Sequence, residues 1–222
     1  MTENGTQQES VMIPLDEVML EGILATPEKT RGMVIFAHGS GSSRFSPRNA
    51  YVAKVLRSYG LGTFLFDLLT EEENKDYENR CNIDLLAFRL KAATSWVMGQ
   101  PGLGEVGIGY FGASTGAAAA LEAAADFGEK IGAVVLRGGR PDLAISVVGR
   151  IVSPTLFIVG GNDEVVIELN QRAYNMLHSE KKLVVIPGAT RLFEEPGKLE
   201  EVAQTAKDWF VRYLKKEKGW VV

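Results

Sequence analysis

A serine flanked by glycines, Gly112-Ala113-Ser114-Thr115-Gly116, follows the largely apolar run Val106-Gly107-Ile108-Gly109-Tyr110-Phe111 and opens an alanine-rich stretch that reaches about Asp126. The pattern is G-x-S-x-G between an expected strand and an expected helix. In that setting the glycines permit a sharp turn that lifts the serine hydroxyl above the sheet, where it can attack a carbonyl carbon. The helix that starts beneath Ser114 offers backbone N–H groups to developing negative charge. Without a strand before it and a helix after it, the same pattern is only a tight packing turn. A second glycine-rich turn, His38-Gly39-Ser40-Gly41-Ser42-Ser43-Arg44, follows Met33–Ala37. It can aim one backbone N–H at the substrate of Ser114. Ser40 is the expected donor and Gly41 the alternative, paired with the N–H of Thr115 in an oxyanion hole. A third turn, Gly160-Gly161-Asn162-Asp163-Glu164, follows Leu156–Val159. Asp163 is the expected acid of a triad, with Glu164 as alternative. The competing assignment for Asp163 is a cap on the helix through Ile167 and Leu169.

These turns need a scaffold that brings them to one edge. Met33–Ala37, Leu61–Phe66, Val106–Phe111, Ala133–Leu136, Leu156–Val159 and Leu183–Ile186 read as strands buried on both faces. Helical spacing lies between most of them: Val52, Val55, Leu56 and Tyr59, stopped by Gly60; Ile83, Leu86, Leu90 and Val97, stopped by Gly99; and Leu199, Val202, Ala206, Phe210 and Tyr213. Strands alternating with helices predict an α/β fold, a mostly parallel sheet with helices on both faces. Two earlier β-rich segments, near 10–13 and 18–24, suit an antiparallel N-terminal edge. In such sheets function sits at the carboxyl ends of the strands. The stretch Leu68–Arg80, with Glu71, Glu72, Glu73 and Asp76, reads as a long solvated loop, or else a lid.

Composition narrows the function classes. The chain has 222 residues, 45% hydrophobic and 23% charged, which suits one globular domain over 1–222 and argues against disorder. A net charge of −4 speaks against nucleic acid and anionic membranes as partners. One cysteine and two histidines cannot build a Cys/His zinc site, so no metal and no cofactor is expected. A polar start without a signal-peptide core, and no apolar run near the roughly 18 residues of a membrane span, point to a cytoplasmic chain, a monomer or homodimer.

The motifs Phe36–Arg44, Gly109–Gly116, Val159–Asp163 and Pro187-Gly188-Ala189-Thr190-Arg191-Leu192-Phe193 resemble those of the α/β-hydrolases, close to the small dienelactone-hydrolase-like family. That resemblance covers nearly the whole chain. It implies hydrolysis of esters or lactones through a serine or cysteine nucleophile, here Ser114. It also implies a catalytic histidine in a Pro-Gly-x-x-His-x-Phe loop after the last strand, where this chain has Arg191. Arginine stays protonated and cannot act as general base. Its guanidinium is instead expected to fork onto Asp163. His178, at the far end of the helix after Asp163, should lie at the opposite sheet edge. His38 is on the correct edge but is expected to bond nearby backbone. Cys81, just before the Ile83 helix, is expected to be a partly buried small residue.

Arg44, Arg140 and Arg191 are expected at the site edge, where guanidinium forks suit an anionic small-molecule substrate. Their competing partners are the acidic residues at 71–73 and Asp163. A hydrolase with a relocated site, using Cys81 or His38, is one reading; two others stand beside it. One is a serine hydrolase of small esters or lactones with impaired or unusual catalysis. The other is a non-catalytic protein of this fold: a pseudoenzyme, an inactivated variant or an engineered scaffold.

Overall fold

The structure, a computed structural model, describes residues 2–3, 5–15 and 17–214; Met1 and Asn4 of the polar start lie outside the described residues. The strands are β1 (Thr2–Glu3), β2 (Thr6–Leu15), β3 (Val18–Pro27), β4 (Gly32–Ala37), β5 (Leu61–Phe66), β6 (Gly107–Ala113), β7 (Ile131–Arg137), β8 (Thr155–Gly160) and β9 (Lys181–Ile186). The helices are α1 (Pro47–Ser58), α2 (Tyr77–Cys81), α3 (Ile83–Met98), α4 (Thr115–Phe127), α5 (Glu164–Met176) and α6 (Lys198–Tyr213). Among the described residues the strands form one sheet in the order β1-β2-β3-β5-β4-β6-β7-β8-β9. The first three are antiparallel to their neighbours, with β2 and β3 closing a hairpin at Leu15↔Val18. From β5 to β9 every pairing is parallel.

The apolar runs are strands because both of their faces are covered. All six residues of β4, β5 and β8 are buried. Alternation then sorts side chains between two cores. Met33, Ile35 and Ala37 join Leu86, Leu90 and the alanines of α4 on one face. Val34 and Phe36 join Val52, Leu56, Val202 and Phe210 on the other. Thus α3 and α4 cover one side, and α1 and α6 the other. The alanines of α4 are small enough to let that helix lie close to the sheet: Ala117–Ala120 are fully buried, and a Cβ at Gly112 would stand 2.7 Å from the Cα of Ala117.

The segment expected as one long loop is more ordered than that. It carries a helical turn at Glu73–Lys75 and the short helix α2, whose N-cap Asp76 accepts from Glu78 N at 2.8 Å. Glu73 is not a solvated charge. It accepts from the backbone N of Thr70 at 2.8 Å and from Nη2 of Arg89 at 2.6 Å, fastening this segment to α3. Glu71 and Glu72 are exposed, as read from the sequence.

Candidate active site

Ser114 connects β6 to α4 with φ 51° and ψ −123°, at the positive φ that side chains other than glycine's rarely adopt. A non-glycine residue there stores roughly 1–3 kcal/mol of strain, sustained by the packing around it. That packing is visible. A Cβ at Gly116 would overlap the Ala37 carbonyl oxygen and lie 2.5 Å from that of His38. Gly39 crosses directly over the serine: a Cβ there would sit 2.8 Å from Ser114 Cβ and 3.4 Å from its Oγ. The glycines therefore let the β4 turn, the Ser114 turn and the first turn of α4 share one small volume. Ser114 itself is half-buried, and its hydroxyl makes no hydrogen bond to any described residue.

Thr115, 8% exposed, is the first residue of α4, so its N–H has no acceptor within the helix. The expected second donor is already engaged. The backbone N of Ser40 donates to Thr115 Oγ1 at 3.0 Å, clamping the β4 turn to the elbow. Gly41, the alternative, is exposed with φ 71°, and Nη1 of Arg80 lies 3.9 Å from where its Cβ would be. Sequence reasoning passed over Arg80. It lines a small hollow with His38, Gly39, Ser40 and Leu69, and among the described residues it has no ion pair, only the Tyr77 ring 5.4 Å away.

His38 is sealed into the backbone, as expected. Its Nε2 accepts from Leu68 N at 3.1 Å, which places the proton on Nδ1, 3.0 Å from the Gly39 carbonyl oxygen. Burial pushes its pKa below the usual histidine value. With both nitrogens occupied, the ring has no lone pair to offer Ser114. His178 is exposed just beyond the end of α5, at the amino edge of the sheet.

Asp163 is half-buried and does cap α5, Oδ1 accepting from Val166 N at 3.2 Å. The expected fork from Arg191 is not formed. Arg191 is exposed and has no carboxylate partner among the described residues. The loop that carries it is nonetheless built against the site. Asn162 N donates to the Ala189 carbonyl at 2.9 Å, joining this loop to the Asp163 turn. A Cβ at Gly138 would meet Arg191 O at 2.8 Å and Arg191 Cγ at 3.1 Å. Two residues further on, Arg140 N donates to the Ser114 carbonyl at 3.1 Å. The turns of Ser114, Asp163 and Arg191 are thus linked through residues 138–140. The guanidinium of Arg191 reaches solvent instead of Asp163, because the aspartate's cap bond is local and a long exposed side chain gains little from one more surface ion pair.

The other two expected arginines are already neutralised, and not by the acids first considered. Arg44 forks onto Asp67 and Glu21. Arg140 holds Asp142 through Nε at 2.8 Å and Nη2 at 2.7 Å. Neither presents a free guanidinium to an anionic substrate. Cys81 also departs from expectation: it is exposed, the last residue of α2. No group of three or more His, Cys, Asp or Glu close enough to hold a metal occurs among the described residues, and no described helix is long and apolar enough to cross a membrane.

No protein-family model matches the sequence. A dienelactone hydrolase from Anabaena variabilis is 51% identical, with a TM-score of 0.92 covering 96% of this chain and 100% of that one. A Mycobacterium tuberculosis protein provisionally named a phosphoribosyl transferase is 55% identical over 208 residues, 94% of this chain but 47% of its own length. The chain therefore spans about half the length of that curated relative. An α/β serine hydrolase homologue from Coxiella burnetii, 24% identical with a TM-score of 0.76, covers 90% of this chain and 96% of its own and shares the fold. With the dienelactone hydrolase of Anabaena matched along its whole length at 51% identity, the chain belongs to the dienelactone hydrolase family of α/β-hydrolase-fold proteins.

Proposed function

We propose that the protein is a serine hydrolase of small carboxylic esters or lactones that works slowly, because position 191 supplies no general base. The single observation that carries this reading is the state of Ser114: strained, half-exposed, at the start of α4, with its hydroxyl unengaged. Ser114 Oγ attacks the acyl carbon. The N–H of Thr115 and a donor from the 39–41 turn stabilise the oxyanion, the Ser40 N–H becoming available if the Thr115 hydroxyl rotates away. Asp163 would orient a base, were one present. Without an imidazole the serine proton passes to water, which is why turnover is slow. No cofactor takes part in this chemistry.

A non-catalytic role is the second reading, and a specific observation favours it. His38 has both ring nitrogens committed to backbone groups, and the only other histidine lies beyond α5. One experiment separates the two. The purified chain is treated with a fluorophosphonate and weighed intact. A single adduct that disappears in Ser114→Ala supports the hydrolase. An unlabelled wild-type chain, folded by circular dichroism, leaves the non-catalytic reading standing.

A further inference from the structure

Arg137 ends β7 in register with Ala113, the residue before the nucleophile, and with Ile158 of β8. Alternation along β7 turns it to the face of α1 and α6, since Ala133 and Val135 lie in that core. It is 7% exposed. Among the described residues no carboxylate lies within ion-pair distance and no hydrogen bond reaches it, and its Nε is enclosed with no partner. The charged group that acts on it is of the same sign. Burial, and after it the repulsion of Arg48 in the first turn of α1, lowers the pKa of Arg137 to about 10.

Arg48 is itself only half satisfied. Its Nη1 holds the exposed Glu194 at 2.6 Å, while its Nε is enclosed and unpartnered. The start of α1 adds to the positive field. Pro47 has no N–H and the Ser46 hydroxyl takes the Asn49 N–H at 3.4 Å, so the helix end contributes its dipole and the N–H of Arg48. Buried charges in folded proteins are paired, because an unpaired one loses its hydration with nothing in return. Of these two guanidiniums only Arg48 has a carboxylate, the surface Glu194.

We propose that Arg48 and Arg137 form a binding site for a phosphate group on the α1–α6 side of the sheet, behind the nucleophile turn. Two guanidinium planes and a helix N-terminus offer more donors than the two oxygens of a carboxylate accept; with Glu194 on Arg48 the side chains leave a net charge of about +1, which a phosphate monoanion balances. The site is separate from the Ser114 hydroxyl, which lies past the strand end over α4. Its occupant would touch the loop of Glu194, three residues from Arg191.

The test is thermal unfolding of the whole chain in phosphate-free buffer, titrated with inorganic phosphate, and in parallel with sodium acetate and with sodium chloride at matched ionic strength. Phosphate at ten times its Kd is expected to raise Tm by about 3–6 °C and to saturate; acetate should need a higher concentration and chloride should not saturate. Arg137→Met is expected to be no less stable than wild type without phosphate, since it removes an unpaired charge, and to lose the phosphate response. Should Arg137→Met fail to fold, Arg48→Gln, at a partly exposed position, should weaken phosphate at least about tenfold. The proposal is overturned by an absence of saturation, by acetate binding more tightly than phosphate, or by an unchanged response in the folded variant.

Discussion

Replacing Arg191 by histidine should convert a slow serine into a fast one. The backbone at 191 is held by its surroundings rather than by its own side chain. Ala189 and Phe193 are buried, Phe193 with φ 57°, and Ala189 accepts from Asn162 N. The Arg191 side chain is exposed and unpaired, so its loss should change stability by no more than about 0.5 kcal/mol. Its Cβ–Cγ portion lies against Gly138, on the 138–140 turn whose Arg140 N binds the Ser114 carbonyl. An imidazole there can face Ser114 with one nitrogen. Asp163 uses Oδ1 for its cap, which leaves Oδ2 to take the N–H of the other. A positioned acid–base group contributes roughly 10²–10⁴ in rate, about 2.7–5.5 kcal/mol of barrier. Fluorophosphonate labelling of Arg191→His should therefore be at least about 10²-fold faster than wild type. The rate should rise with pH through a histidine pKa at or above about 6.5, since an adjacent carboxylate favours the charged ring. Adding Asp163→Asn should remove most of the gain, and Ser114→Ala all of it. A folded Arg191→His chain with no faster labelling between pH 5 and 9 would refute the idea that this loop still presents position 191 to Ser114.

Two further outcomes test the scaffold. Gly116→Ala lies in α4, where alanine normally stabilises a helix by about 1 kcal/mol. Here the added carbon meets the Ala37 and His38 carbonyls, so urea denaturation should show a loss of about 3 kcal/mol or more instead, with slower labelling as the elbow shifts. His38 is held neutral by burial and accepts from Leu68 N, so its pKa is lowered on folding. Its contribution to stability is present above about 6.5 and is lost as pH falls from there towards the lower folded value, because the unfolded chain then binds the extra proton. His38→Gln should flatten the stability profile across that window, measured by urea midpoints at constant ionic strength.

How much of this was legible beforehand depends on how far apart the interacting residues are. The strands, the helix faces, the G-x-S-x-G turn and the order of the three functional turns follow from local patterns. A run such as Met33–Ala37 is apolar at consecutive positions only when both faces are covered, and the glycine at 112 is required by the backbone of Gly116 and Ala117 a few residues on, whereas the one at 116 answers to the distant carbonyls of Ala37 and His38. The break at Arg191 was also plain, since one residue type decides whether a base exists. Charge pairing was not. Arg44 is held by Asp67 and Glu21, each 23 residues distant, and Arg48 by Glu194, 146 residues distant. Arginine carries no periodic signal that names its partner. The same holds for the Thr115 hydroxyl on Ser40 N and for the pocketing of His38 by Leu68 N. The one local hint was Arg137, a charge directly after the buried run 133–136. Sequence alone determined which turns reach the carboxyl edge, because hydrophobic periodicity and the alternation of strand, turn and helix act over a few residues. Only the tertiary structure decided which cations are already satisfied and which are not, because a side chain some 6–7 Å long chooses among whatever carboxylates the whole fold brings within its reach.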